Sequence, residues 1–170
     1  MLRVVPGFDE LASPVLAQVA SVGNIGEVPQ GEVLFRQGTV PESLYVLLDG
    51  RVSLTGTAAD ESSAVIDILG PNSSFVLANS LTGDPYQVGA EVVTRSTVIR
   101  IPVTTIRTVV SEQPTAAMAM MRAISAELDA MTRQVVDLKV RIAAQRLGAY
   151  LLTLFEDPAA GTGQIGRAHV

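Results

Sequence analysis

Glycines at 31, 38, 50, 56, 70, 83 and 89 cut residues 24–102 into short segments, and this spacing limits the fold more than any other feature. The segments between them, such as "EVLFRQ", "SLYVLLD", "SAVIDIL" and "AEVVTRSTVIRIP", are rich in β-branched and aromatic residues and leave little room for long helices. Successive short strands without intervening helices predict a sandwich or barrel rather than a parallel α/β sheet. Asp49-Gly50, between "LYVLL" and "RVSL", predicts a two-residue hairpin turn, because a type I′ turn needs positive φ at both central residues. Residues 24–102 are therefore expected to form a compact antiparallel β unit. Ahead of it, "SPVLAQVASVG" predicts a short helix with Ser13 as N-cap, Pro14 at the first helical position and Gly23 beyond the end.

From Pro102 the period becomes helical. "VTTIRTVVSEQ" predicts a short helix stopped by Pro114, and no Gly or Pro follows until Gly148. Within that run Ala117, Met121, Ile124, Leu128, Met131, Val135, Leu138 and Ile142 alternate steps of four and three, an unbroken heptad seam. At about 1.5 Å per residue, residues 115–141 would span roughly 40 Å, more than a small barrel covers. A strict 3.5-residue period favours a two-chain coiled coil over a helix packed on its own domain, whose pattern drifts at about 3.6. Met121, Ile124, Leu128, Met131, Val135, Leu138 and Ile142 are the candidate dimer interface. Asp129–Arg133 and Asp137–Arg141 are expected to pair along the exposed face. At Gln145 the seam fails, and Leu147, Tyr150, Leu151, Leu154 and Phe155 begin a different stripe.

Composition narrows the function. Hydrophobic residues make up 48% of 170, enough for a core, yet the longest apolar run is Ala116 to Met121. A membrane span needs about 20 such residues, so a soluble, cytoplasmic protein is expected. There is no cysteine and one histidine, His169, which excludes thiolate metal sites, iron–sulfur clusters and a Cys nucleophile. A net charge of −5 argues against a nucleic-acid-binding surface. No set of nucleophile, base and orienting group stands out, so no catalytic residue, metal site or enzyme activity is expected.

Residues 28–56, "VPQGEVLFRQGTVPESLYVLLDGRVSLTG", resemble the β-roll signature of cyclic-nucleotide-binding domains. Residues 6–155 look like the sensor half of a regulator of the catabolite-activator / fumarate-nitrate-regulator (Crp-Fnr) superfamily. The resemblance implies an α+β fold: a double-stranded β-helix (jelly-roll) barrel with short flanking helices and a long C-terminal dimerisation helix. It implies a sensor domain over 1–114, a dimerisation helix over 115–141, and the start of a winged helix-turn-helix domain over 142–157. "DLKVRIAAQRLGAYLL" is similar to that family's junction into its DNA-binding domain. DNA contact is expected only through a C-terminal domain following residue 155, and the partner implied is a second copy of the chain.

In the cyclic-nucleotide-binding members a loop carries Gly-Glu and then Arg-Ser or Arg-Thr, the Glu accepting from the ribose hydroxyl and the Arg binding the cyclic phosphate. Here "GPNSSFVLANSLTGDPYQVGA" places Val76-Leu77 at the first pair and Val88-Gly89 at the second. Val76, Leu77, Ala78, Val88 and Gly89 are thus the candidate ligand-pocket residues, in a degenerate phosphate-binding loop. No basic residue lies between Arg51 and Arg95, so the loop supplies no cation for a phosphate. The expected effector is an unknown small molecule other than cAMP. No cofactor is expected. A haem-based sensor is a family alternative that neither His nor Cys supports, leaving only Met118, Met120, Met121, Met131, Tyr45, Tyr86 or Pro85 as ligands, and such methionines are more often core filler. The rival reading is a stand-alone ligand-binding or interaction module. Residues 158–170 read as a tail outside the fold, of which Gln164–Val170 back-translates to a sequence resembling a sequencing-adapter leader.

Overall fold

The structure, a computed structural model, describes residues 2–156, so the tail from 158 and His169 lie outside the described residues. A 3-10 turn, Leu2–Val4, precedes α1 (Ser13–Val22). The strands are β1 (Asn24–Val28), β2 (Val33–Phe35), β3 (Ser43–Thr57), β4 (Ser63–Leu69), β5 (Ser73–Phe75) and β6 (Gly89–Pro102). Helix α2 (Leu77–Thr82) lies between β5 and β6, and α3 (Val103–Glu112) and α4 (Pro114–Glu156) follow. All strand pairs are antiparallel: β1-β6-β3-β4 form the path, with β2 on β6 and β5 on β3. With its flanking helices and long C-terminal helix this is the expected β-roll.

The anticipated hairpin at Asp49-Gly50 is not there. β3 runs through it as one 15-residue strand, paired along β6 from Ser43↔Pro102 to Thr55↔Gly89. Gly50 does take positive φ, 96°, but as an irregularity in the ladder, where the register shifts on either side of Asp49 and again after Arg51. A Cβ at Gly50 would stand 2.7 Å from Ser96 Cα, so the close crossing of β6 needs glycine here. Ser96 Oγ accepts from Arg51 N–H at 3.2 Å and donates to Thr94 O at 2.6 Å, which holds the bulge.

The start of α1 also differs from expectation. Ala12 occupies the N-cap position without a side-chain bond, while Ser13 Oγ accepts from Arg3 Nη2 at 2.6 Å and Pro14 sits in the first turn. Gly23 is extended, φ −69°, because β1 begins at once. Its place is fixed by packing instead: a Cβ there would meet Ile99 Cγ2 at 3.1 Å.

Two cores divide the apolar residues. β3 is buried on both faces between Leu44 and Leu47, so Leu44 and Val46 face one core and Tyr45 and Leu47 the other. The first joins them to Ile99 and Ile101 of β6, Phe8, Val15 and Val19, Ile106 and Val109 of α3, and Ala116, Ala119 and Met120 of α4. The second is the inside of the roll: Phe35, Phe75, Val52, Leu54, Tyr86, Val92 and Val98.

The chain divides into two compact units, Met1–Ala126 and Glu127–Val170, so α4 begins in the first and continues in the second. α4 passes Gln145 and Gly148 without a break. Neither Asp129–Arg133 nor Asp137–Arg141 closes to ion-pair distance among the described residues, whose ion pairs are Arg95–Glu27, Arg100–Glu32 and Arg122–Glu10. The helix repeat permits those two contacts, but exposed long side chains gain little from making them.

Candidate functional site

The connection from β5 to β6 holds a short helix between two left-handed residues. Ser73–Phe75 pairs with Leu47–Tyr45, the chain turns at Val76, α2 makes one and a half turns, and Gly83 reverses it at φ 88°. Val76 holds φ 58°, ψ 31°, a left-handed conformation that suits glycine and costs a β-branched residue about 1–3 kcal/mol. Its buried side chain contributes to the roll's interior, which offsets part of that strain. Ser80 Oγ donates to Val76 O at 2.9 Å, and Arg107 Nε of α3 donates to Ser80 O at 2.9 Å. The Arg107 guanidinium lies beside Gly83, 3.1 Å from where a Cβ would be, and so closes the carboxyl end of α2.

The five candidate pocket residues do not converge. Leu77 is 1% exposed and belongs to the helical core, whereas Val76 belongs to the roll interior. Ala78 is exposed, and Val88 is half-buried against the roll core. Gly89 lines a cavity of 590 Å³. Its other polar walls are Arg36, Gln37, Thr55, Thr57 and Glu91. Gln37 is fixed there by two bonds to Thr57, donating to its carbonyl at 3.0 Å and accepting from its N–H at 2.8 Å. Arg36 makes no ion pair among the described residues.

Sequence reasoning missed these groups. Counting cations along the loop is correct for residues 52–94, but Arg36 comes from the β2–β3 connection. Pairing of Phe35 with Ala90 carries it to the start of β6. The signal available was "FRQG", a cation and an amide directly before a glycine turn.

Beneath the loop four aromatic rings fill the roll. Phe35 stacks on Tyr86 with centroids 4.0 Å apart, Tyr45 stacks on Phe75 at 5.6 Å, and Phe35 meets Tyr45 at 5.2 Å. Both phenols are satisfied: Tyr45 donates to Leu34 O and Tyr86 to Ser43 O, each at 3.1 Å. Burial pushes both phenols above their ordinary range; Arg100 partly opposes this at Tyr45, while Glu42 adds to it at both. These hydroxyls remain neutral donors at physiological pH. Of the methionines weighed as metal ligands, Met120 is core filler at 0% exposure, while Met118, Met121 and Met131 are exposed.

The proposed seam divides likewise. Ile124 packs partly against the first unit's core, whereas Met121, Leu128, Met131, Val135, Leu138 and Ile142 are exposed, Leu128 by 62%. Among the described residues no helix is long and apolar enough to cross a membrane.

A family model for the cyclic nucleotide-binding domain matches residues 25–113. The CRP-like cAMP-activated global transcriptional regulator of Mycobacterium tuberculosis is 21% identical over 128 residues, 75% of this chain and 57% of that protein. The chain thus spans 57% of the length of the curated relatives it matches. Thermus thermophilus catabolite activator protein superposes with a TM-score of 0.67 at 22% identity, covering 89% of this chain and 71% of that one. The sensor domain of the transcriptional regulator DNR from Pseudomonas aeruginosa gives 0.66 at 19% identity, covering 80% and 89%. At these identities the structural likeness shows the fold.

Proposed function

This chain belongs to the cyclic nucleotide-binding domain family, and from that premise we propose that it is the effector-sensing and dimerisation part of a Crp-Fnr-type transcription regulator that does not respond to cAMP. The observation that carries the reading is Leu77. It stands where the family's ribose-binding Glu would stand, and its side chain is packed into an apolar core at 1% exposure. No rotamer change gives an aliphatic group a lone pair for a hydroxyl. A ribose hydroxyl brought into the roll would find no carboxylate from this position, and its lost bonds to water would go unreplaced at about 1–3 kcal/mol.

The loop also lacks a cation of its own. An effector enters instead at the cavity beside Gly89, where Arg36 favours a small molecule with an anionic group and Thr55, Thr57 and Glu91 supply its other polar contacts. Binding there shifts a balance between two packings of α4 against its counterpart in a second copy. That change re-aims DNA-binding domains that follow residue 155.

Isothermal titration with cAMP tests the reading. We expect no saturation below millimolar nucleotide. A micromolar dissociation constant would overturn it.

A further inference from the structure

A second cavity lies away from the roll loop, between the N-terminal turn, α1, β1 and β6. It has a volume of 530 Å³; Leu2, Leu16, Ile25 and Ile99 form its aliphatic wall, with Ala17 and Ala20 of α1. The trough exists because Ala17 and Ala20, nearly one turn apart, are too small to cover the strand beside them. Ile25 is left 54% exposed. Among the described residues the polar side chains in the lining are Arg3 and Ser13, and they are bonded to each other at 2.6 Å, so charge and hydroxyl share one spot. Arg3 makes no ion pair among the described residues. An aliphatic trough with one unpaired guanidinium matches a ligand with one anionic head and a saturated tail.

We propose that this trough binds a medium-chain aliphatic carboxylate, its tail along Ile25 and Ile99 and its head on Arg3 and Ser13. The inference is independent of the effector reading above. Occupancy bears on the helical core, because Leu2 and Ile99 share that core with Ala119 and Met120 of α4. A bound tail therefore tightens the N-terminal turn and α1 onto the first turns of α4.

Calorimetric titration of the chain with sodium decanoate, sodium octanoate and decyltrimethylammonium tests this. Decanoate should saturate a single site. Each buried methylene adds about fourfold in affinity, so octanoate, two methylenes shorter, should bind roughly fifteenfold more weakly. The cationic amphiphile should not bind. Arg3→Gln should weaken decanoate about tenfold, the value of a charge-assisted contact at a part-exposed site. Ala20→Leu fills the trough from an exposed helix position and should abolish binding with the melting temperature unchanged. Ala17→Leu serves as a second filling variant should that temperature move. The proposal fails if decanoate does not saturate by millimolar concentration, if the cation binds equally, if Arg3→Gln has no effect, or if both filling variants still bind.

Discussion

The roll and the second unit use the same aliphatic residue types to opposite ends. Val52, Val98 and Leu47 in the roll are 0% exposed, while Val135, Leu138 and Leu128 on α4 are 51%, 59% and 62% exposed. In the roll, β3 and β6 cross and pair along most of their length, so each inward side chain meets others from the same chain. Along the second unit the apolar residues recur at the spacing of a two-helix seam, while the exposed Val136 and Val140 lie outside that seam. The difference teaches that one region buries its apolar residues within the chain, whereas the other leaves them exposed along the seam proposed for a second copy.

The largest effect should come from disturbing the roll alone. Gly50→Ala puts a Cβ 2.1 Å from Ser96 Oγ and 2.7 Å from Ser96 Cα at a φ of 96°. Left-handed strain and overpacking against backbone together should cost about 3–5 kcal/mol in urea denaturation followed by circular dichroism. A loss below about 1 kcal/mol would mean that the bulge relaxes freely and that the crossing does not hold the roll.

Next in size is the reverse experiment, on the helix alone. Leu128→Asp sets two carboxylates against each other in the proposed seam, which should weaken association by about 3–5 kcal/mol. Sedimentation equilibrium should find the unaltered chain dimeric and the variant monomeric, with the roll's circular dichroism unchanged. A variant that still dimerises moves the interface elsewhere.

The comparison also explains what the sequence made legible. The short β-runs and the switch to helical period at Pro102 are local signals, and β2, β3, β4, β6 and α3 follow them, whereas β1 and β5 lie outside the runs read as strands. Asp49-Gly50 misled because a type I′ turn and a bulge share the same need for positive φ. What decides between them is Ser96, 46 positions on from Gly50, and only the pairing of β3 with β6 brings it there. Arg36 at the candidate cavity was hidden for the same reason, since strand pairing rather than chain proximity places it beside Gly89. Leu77 could be read as apolar, but not that it leaves the roll for the helical core. The sequence around it reads alike in either case.

A smaller effect should come from the contact between the N-terminal turn and α4, inside the first unit. Gly7 has φ 84°, and a Cβ there would stand 2.9 Å from Ala123 Cβ and 3.4 Å from Met120 Sδ. Gly38 has nearly the same φ, 82°, with nothing within 4 Å. Gly38→Ala should therefore cost only the conformational strain, about 1 kcal/mol, and Gly7→Ala about 2–3 kcal/mol. The difference between the two melting shifts isolates the steric contact with α4. Equal shifts would show that the first turns of α4 yield without cost.

The smallest effect sharpens the roll side by pH. Tyr86→Phe removes the bond to Ser43 O and should cost about 1 kcal/mol at pH 7. Burial first, then the charges of Tyr45 and Glu42, hold the Tyr86 phenol above its ordinary value of 10.0. Above that value the unfolded chain loses the proton while the folded chain retains it. Stability from this group is therefore full below about pH 10 and declines as the pH rises further. Tyr86→Phe should flatten the alkaline arm of the stability curve, leaving the share due to Tyr45, whose phenol is raised by burial as well. Because Tyr86 lies in the roll's aromatic core, the slope that disappears with it belongs to the roll. An unchanged alkaline slope would mean that water reaches the stacked rings and that the roll is less closed than the aromatic packing requires.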